Sequence, residues 1–425
     1  MPSLTTAAPA VGRHAAQPPG GLVRRTYLPR LADALAFATA TYAIPLLVLA
    51  TTRSAALTGA AFCLEWLPRL GAFTLAGRLV DQRGAAAVAF AASVGRALVA
   101  ACAAGILWAI PAASTAATCT VMALAALSGV LTECSYIATE TAGAVAARRH
   151  GERAHRVQAV LLGIDQGATL AGPALGGALL LIAPAWMLTA LTALSASAAL
   201  LALTTPPMPT TGRGPRSRKA SGLRAGWRTI RALPALAALI GGLIVSNLSI
   251  GLLQAAGPII IEHHYGASSA GVGLVWSVAA GATLISVAVC RPLIDRFGLW
   301  PVGATCAALA AASCWAVGQA HSYTAFAAAT AALMAGEGGM TIVLRTLRAR
   351  LIPEAVFGST LATSILLLLL PFPLAGLITA LTPATQLPAV ISFCAVLQAL
   401  ALAGAFWRLR REPALVRGYT AAAPG

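Results

Sequence analysis

The sequence predicts an all-α integral membrane protein whose twelve transmembrane helices form two six-helix bundles related by an internal repeat. Three observations predict it. The 425 residues are 58% hydrophobic and only 10% charged, with a mean hydropathy of +0.81, against about 25% charge in a soluble domain. The apolar residues come in blocks long enough to cross a bilayer, not in amphipathic stripes. One eight-residue motif appears at equivalent places in the two halves.

The apolar blocks run 31–51, 55–77, 87–110, 115–139, 158–183 and 185–204, then 234–261, 268–290, 299–320, 322–344, 356–381 and 384–407. Basic residues fall on alternate connections. Arg13, Arg24, Arg25 and Arg30 precede span 1, and Arg78 and Arg83 follow span 2. Arg148, Arg149, Arg153 and Arg156 follow span 4, and a run from Arg213 to Arg231 follows span 6. Arg291 and Arg296 come after span 8, Arg345, Arg348 and Arg350 after span 10, and Arg408, Arg410, Arg411 and Arg417 after span 12. Arg53 alone lies on the opposite loops, while Arg69 and Arg96 lie inside spans. By the positive-inside rule both termini are cytoplasmic and the number of crossings is even.

The net charge of +17 is therefore topological, and no nucleic-acid partner is expected. Lys219 is the single lysine among the basic residues and alanine is abundant, a coding bias that points to a bacterial plasma membrane. Residues 1–28 lack an apolar signal run and read as a disordered cytoplasmic tail. The first bundle is expected over 29–205, a Pro/Gly-rich basic cytoplasmic linker over 206–232, the second bundle over 233–408 and a second tail over 409–425. The linker has the charge to meet anionic headgroups, although topology alone accounts for it. All eight cysteines lie in apolar blocks without metal-ligand spacing and read as packing residues. Glu262, His263 and His264 end span 7, but adjacent residues point to different sides of a helix, so no metal site is expected there.

The repeated motif is Gly77-Arg78-Leu79-Val80-Asp81-Gln82-Arg83-Gly84 after span 2 and Arg291-Pro292-Leu293-Ile294-Asp295-Arg296-Phe297-Gly298 after span 8. Its glycines permit a tight helix-to-helix turn. On these residues the chain resembles the major facilitator superfamily, whose hallmark is G-x-L-a-D-r-x-G between helices 2 and 3 with a degenerate copy between helices 8 and 9. The first copy matches at Gly77, Leu79, Asp81, Arg83 and Gly84. It departs in placing Arg83 one residue late and in carrying Ala85 and Ala86 where basic residues are usual. The second copy matches at Asp295, Arg296 and Gly298 but has Arg291 in place of glycine. The resemblance covers spans 1 to 12 and implies that Asp81 is a gating residue that helps lock the cytoplasmic side shut.

Span 5 contains Gly172-Pro173-Ala174-Leu175-Gly176-Gly177, similar to the helix 5 motif of proton-coupled drug and siderophore exporters in that superfamily, with Ala168 where a glycine is expected. The small residues also allow close helix contact and the proline a bend. Pro45, Pro68, Pro258, Pro371 and Pro373 interrupt other spans, where bends let gates close.

Charged groups inside a membrane are costly and mark function. Asp33, Glu133, Glu140, Asp165 and Glu337 are the candidates for binding proton or substrate. Glu65 and Arg69, four apart on span 2, are placed to pair. Arg96 on span 3 needs a carboxylate from span 1, 2 or 4. Glu133 and Glu140 share a face of span 4, and Asp165 shares one with Gln158, Thr169 and Gly172. Glu337 is flanked by Gly336, Gly338 and Gly339, which give room either for a ligand or for close packing. A carboxyl group alternately wetted and desolvated takes up and releases a proton near neutral pH. One departure bears on coupling: antiporters of the superfamily usually carry an arginine in span 4, and none occurs between Pro111 and Ala147.

The resemblance implies a secondary active transporter working by alternating access, not an enzyme. Proton-coupled efflux of a small organic molecule is expected: a drug, antibiotic or siderophore, cationic or zwitterionic because few cations besides Arg69 and Arg96 lie in the membrane. The proton gradient would drive it without a cofactor, in a monomer surrounded by lipid bilayer. A proton-coupled importer or metal-ion exporter of similar fold is the alternative. A polytopic membrane enzyme or sensor is the reading from another class, but no HExxH, GxSxG or Walker A sequence appears.

Overall fold

The computed structural model describes residues 19–111, 114–149, 154–204, 223–353 and 356–411. The described backbone is helical almost throughout. Span 1 is Leu28–Thr52, entered through a short helix, Pro19–Leu22, and a π turn, Val23–Tyr27. Spans 2 to 6 are Ala55–Arg83, Ala85–Ala109, Thr115–Arg149, Ala154–Ile182 and Pro184–Ala202. A linker helix, Leu223–Ala232, precedes span 7, Pro234–Ile259, which a π turn, Ile260–His264, extends. Spans 8 to 10 are Ser269–Phe297, Leu299–Gly318 and Tyr323–Leu351. Span 11 is two segments, Phe357–Leu369 and Pro371–Leu381, and span 12 is Leu387–Leu409.

The structure changes two expected boundaries. Residues 19–28, assigned from sequence to a disordered tail, are helical and lead into span 1. Leu223–Ala232, within the basic cytoplasmic linker expected over 206–232, is also a helix. The rest of both segments and residues 412–425 lie outside the described residues.

Ten helical stretches are long and apolar enough to cross a membrane by length and composition. Spans 2 and 5 fall outside that set although each has 29 residues, about 43 Å of helix. Glu65, Arg69 and Asp165, with many glycines, lower their hydropathy, and these residues face other helices.

Neighbour relations repeat between the halves. Spans 1, 2 and 3 pack on 6, 4 and 4 as spans 7, 8 and 9 pack on 12, 10 and 10, and the 3–6 and 1–5 contacts recur as 9–12 and 7–11. Two pairs make most of the contact between the bundles: span 2 lies along the second segment of span 11, and span 8 lies along span 5. Exchanging the halves exchanges these pairs, the internal two-fold relation that the repeated motif implies.

Each motif copy ends in a one-residue turn. Gly84 (φ 86°, ψ 151°) and Gly298 (φ 90°, ψ 164°) lie in a backbone region open essentially to glycine alone, and their N–H groups donate to the Val80 and Ile294 carbonyls. The turns lie on the side of the membrane that carries the Arg-rich connections, called here the basic side. Arg83, Arg296 and Arg350 occupy the last turns of spans 2, 8 and 10, where cations complement the helix dipole.

Contacts between the bundles gather on the opposite, far side. Gly59 of span 2 and Gly376 of span 11 meet backbone to backbone, so that a Cβ on either has no space. Gly177 of span 5 and Gly273 of span 8 make the corresponding seam, and Ser269 Oγ donates to the Gly177 carbonyl at 3.1 Å. The Trp66 and Phe372 rings stack at 4.2 Å and Tyr42 meets Trp276 at 5.2 Å, both across the bundle boundary.

Gly84→Ala and Gly298→Ala should each lower stability by about 1–3 kcal/mol, measured by thermal unfolding in detergent. Gly59→Val should pry the far-side seam apart and raise the labelling of Cys63, beside that seam, by a membrane-impermeant maleimide applied from the far side. Unchanged labelling would mean that this contact does not seal the far side.

Candidate functional site

Arg30 is the centre of the polar interior of the first bundle. It sits less than a turn inside span 1 and is buried. Its Nε and Nη2 donate to the two carboxylate oxygens of Asp165 on span 5, both at 2.6 Å. This bidentate geometry suits a planar guanidinium. Nη2 also donates to Glu140 on span 4 at 2.7 Å, Nη1 to Thr139 Oγ1 at 3.0 Å, and the guanidinium lies 5.3 Å from the Tyr136 ring centre.

One turn along, Asp33 accepts from Arg96 Nη2 of span 3 at 2.9 Å, from Thr139 Oγ1 at 3.1 Å and from Ser135 Oγ. Arg96 Nε donates to Ser195 Oγ of span 6 at 3.0 Å. A continuous polar path thus runs from Glu140 through Arg30, Thr139 and Asp33 to Arg96. It connects spans 1, 3, 4, 5 and 6. A narrow crevice of about 20 Å³, lined by Arg25, Ser93, Leu161 and Ala198 among others, reaches Arg30, Asp33 and Thr139.

The second cluster joins spans 2 and 4. Arg69 lies 3.6 Å from Glu65 and 3.2 Å from Glu133, with its guanidinium 4.2 Å from the Trp66 ring centre and 5.0 Å from that of Phe37. Desolvated contacts of this kind contribute about 2 kcal/mol each. Span 4 comes this close because Gly129 abuts the backbone of Glu65. Glu65 Oε2, Trp66 Nε1, Arg69 Nη1 and Thr132 Oγ1 are buried without hydrogen-bond partners, so the cluster retains capacity for a polar guest.

The third cluster is in the second bundle. Glu337 of span 10 accepts from Ser246 Oγ of span 7 and, at 3.4 Å, from Gln398 Nε2 of span 12; Gln398 also donates to Ser246 at 2.7 Å. Its flanking glycines serve packing, not a ligand. Gly336 and Gly339 abut Cys306 of span 9, and Gly338 abuts Thr283 of span 8.

The charge ratios differ in a useful way. The first cluster holds three carboxylates (Asp33, Glu140, Asp165) against two guanidiniums, and the second holds Glu65 and Glu133 against Arg69. Among the described residues, Glu337 has no cation within ion-pair distance. Among the described residues each cluster therefore carries one carboxylate beyond its guanidiniums. Asp165 and Glu140 are the accessible members, with side chains 30% and 57% exposed. Arg30, which joins them, belongs to span 1, which contacts span 7, and Asp165 belongs to span 5, which lies along span 8.

Two arginines were misplaced by the sequence reading. Arg30 was counted with the tail and Arg348 with the loop after span 10, yet both are buried within helices. Arg69 and Arg96 are therefore not the only cations within the spans. Glu133 and Glu140 do share a face of span 4, but they enter different clusters. Thr169 donates to the backbone of Asp165, at 2.9 Å, and the Gln158 side chain lies outside the described residues. Ser135, Thr139, Ser195, Ser246 and Gln398 were not singled out; Ser135 and Thr139, four apart in an apolar block, were the available signal.

The remaining motif residues form the frame. Gly172 abuts Ala38 and Thr39 and Gly176 abuts Ala43, all on span 1, while Gly177 and the Pro173 carbonyl abut span 8. The helix 5 motif thus lets one helix touch both bundles. Gly77 has open space around it, Arg83 and Asp295 are exposed, Arg296 lies 5.1 Å from the Phe297 ring centre, and the Asp81 side chain lies outside the described residues. Among the described residues no group of three metal-ligating side chains comes together.

Arg96→Gln should cost about 3–5 kcal/mol by leaving Asp33 buried and unpaired. The double variant Asp33→Asn/Arg96→Gln should recover part of that loss in thermal unfolding, and strictly additive losses would show that the pair does not act as one.

No family model matches the sequence, and no curated protein matches it. Solved structures do match. The nucleoside transporter NupG aligns with a TM-score of 0.67 at 12% identity, over 91% of this chain and 99% of its own. The D-xylose-proton symporter gives 0.68 at 13% identity over 88% and 96%. A bacterial homologue of the iron transporter ferroportin gives 0.66 at 17% identity over 89% and 97% in its inward-facing state, and 0.61 in its outward-facing state. With twelve crossings, two bundles related by a repeat and these matches over nearly the whole chain, the protein has the major facilitator fold.

Proposed function

We propose that the protein is a secondary active transporter that works by alternating access and exports a small organic cation or zwitterion in exchange for protons. The observation that carries this reading is the pair of symmetry-related seams. Spans 2 and 11 and spans 5 and 8 meet backbone to backbone on the far side, while Glu140 and Asp165, toward the basic side, keep side chains 57% and 30% exposed. Such seams are van der Waals contacts between small residues, which part without breaking an ion pair.

The arginine-rich connections support an orientation with the basic side in the cytoplasm. A reading of the structure as inward-facing is supported by the better match to the inward-facing than to the outward-facing ferroportin homologue. Cargo would enter from the cytoplasm and meet Glu140, Asp165 and Tyr136 first. The surplus carboxylates favour cationic cargo and supply groups for protons to occupy on the return. Export is supported by the helix 5 motif, whose glycines also meet the packing needs of span 5. A symporter lies among the structural matches, so import by the same cycle is the second reading.

An untargeted mass comparison of cells and medium, from strains with and without the gene, tests direction and cargo together. Export predicts a compound retained by cells lacking the protein, whereas a compound left in their medium would establish import. In proteoliposomes, Glu337→Gln should preserve folding, because no guanidinium loses its partner, yet abolish cargo-dependent proton flux. Asp165→Asn should impair cargo binding and leave Arg30 held by Glu140. Wild-type coupling in Asp33→Asn, Glu133→Gln, Asp165→Asn and Glu337→Gln alike would sink the proton proposal.

A further inference from the structure

The linker helix is built in three longitudinal strips. At 3.6 residues per turn, Gly226 and Ile230 form one strip, Leu223 and Trp227 the next, and Arg231, Arg224 and Arg228 the third. The first strip is docked: Ile230 is buried, and Gly226 fits against the Ser359 carbonyl and Thr363 of span 11 without space for a Cβ. Thr363 Oγ1 also donates to the Leu223 carbonyl, at 3.3 Å. The second strip is apolar yet 40–45% exposed, and the third is fully basic and exposed. The Arg231 guanidinium lies 5.5 Å from the Trp227 ring centre.

Positive-inside topology explains why arginines occur in this connection. It does not explain their confinement to one strip of a docked helix, beside an exposed tryptophan and leucine. That order is the one an interfacial helix needs, with apolar residues at the acyl boundary and guanidiniums at headgroup level. Its place at the membrane-surface end of spans 7 and 11 puts the basic strip within the headgroup layer.

We propose that Leu223–Ala232 is a binding site for anionic phospholipid headgroups, with Arg224, Arg228 and Arg231 holding the phosphate and Trp227 seated at the acyl boundary. The site rests on membrane embedding alone and stands whichever cargo is carried. It ties the first segment of span 11 to the lipid leaflet, because the linker helix packs on Phe357–Leu369.

Native mass spectrometry of the full chain with phosphatidylglycerol and with phosphatidylcholine tests the site. The wild type should retain phosphatidylglycerol in preference, and R224Q/R228Q/R231Q should weaken that retention by about tenfold or more. The control R408Q/R410Q/R411Q, equal in charge removed, should retain it as the wild type does. In nanodiscs, brominated phosphatidylglycerol should quench the wild type more than Trp227→Phe, a readout that keeps all three arginines and the docked strip. Equal retention of both lipids, equal loss in the control, quenching unchanged in Trp227→Phe, or displacement of the lipid by glycerol phosphate would each overturn the proposal.

Discussion

A charge inside a bilayer persists only if something pairs with it, and this requirement organises the first bundle. Arg30 and Asp33 of span 1 reach Asp165, Glu140, Thr139, Ser135 and Arg96, and Arg96 reaches Ser195. Five of the six spans are thereby connected through one polar path. Removing a member leaves a partner exposed to a low dielectric, so the residues act as a set. Spans 2 and 5 fall short in apolarity, and their charges are paired, Glu65 with Arg69 inside span 2 and Asp165 with Arg30 of span 1.

The second bundle repeats the backbone arrangement without repeating this interior. There the helices approach through small residues: Gly336 and Gly339 against Cys306, Gly338 against Thr283, Gly242 against Ala405. Its internal acid, Glu337, is held by a hydroxyl and an amide, not by a guanidinium. The repeat therefore conserves how helices contact one another while the chemistry has diverged. The first bundle holds a charged scaffold, and the second holds one internal carboxylate with no guanidinium partner among the described residues.

Movement is allowed for at the boundary between bundles. The far-side seams contain glycine contacts and ring stacking worth about 0.5–1.5 kcal/mol per pair, not buried ion pairs. Span 11 bends where Pro371 and Pro373 remove backbone donors, and Asn247 of span 7 donates to the neighbouring Leu368 carbonyl at 2.8 Å. Its second segment belongs to the far-side seam and its first carries the linker helix, so one span touches both faces of the gate.

The amino-acid order alone determined the crossings and their halves, because each follows from one-dimensional quantities: block length and a repeated eight-residue turn. It also determined the Glu65–Arg69 pairing, a matter of spacing on one helix, and the need of Arg96 for a carboxylate. Tertiary structure alone decided which carboxylate Arg96 met. It drew Arg30 out of the apparent tail into the centre of the site, and it separated Glu133 from Glu140. Those two share a helical face, but seven residues is about 10 Å of rise, and at each depth a different helix faces span 4. Pairing in a bundle depends on how each helix is rotated and how far it is shifted against its neighbours. Those are set by the mutual fit of all the helices, which hydropathy and spacing along one chain do not specify.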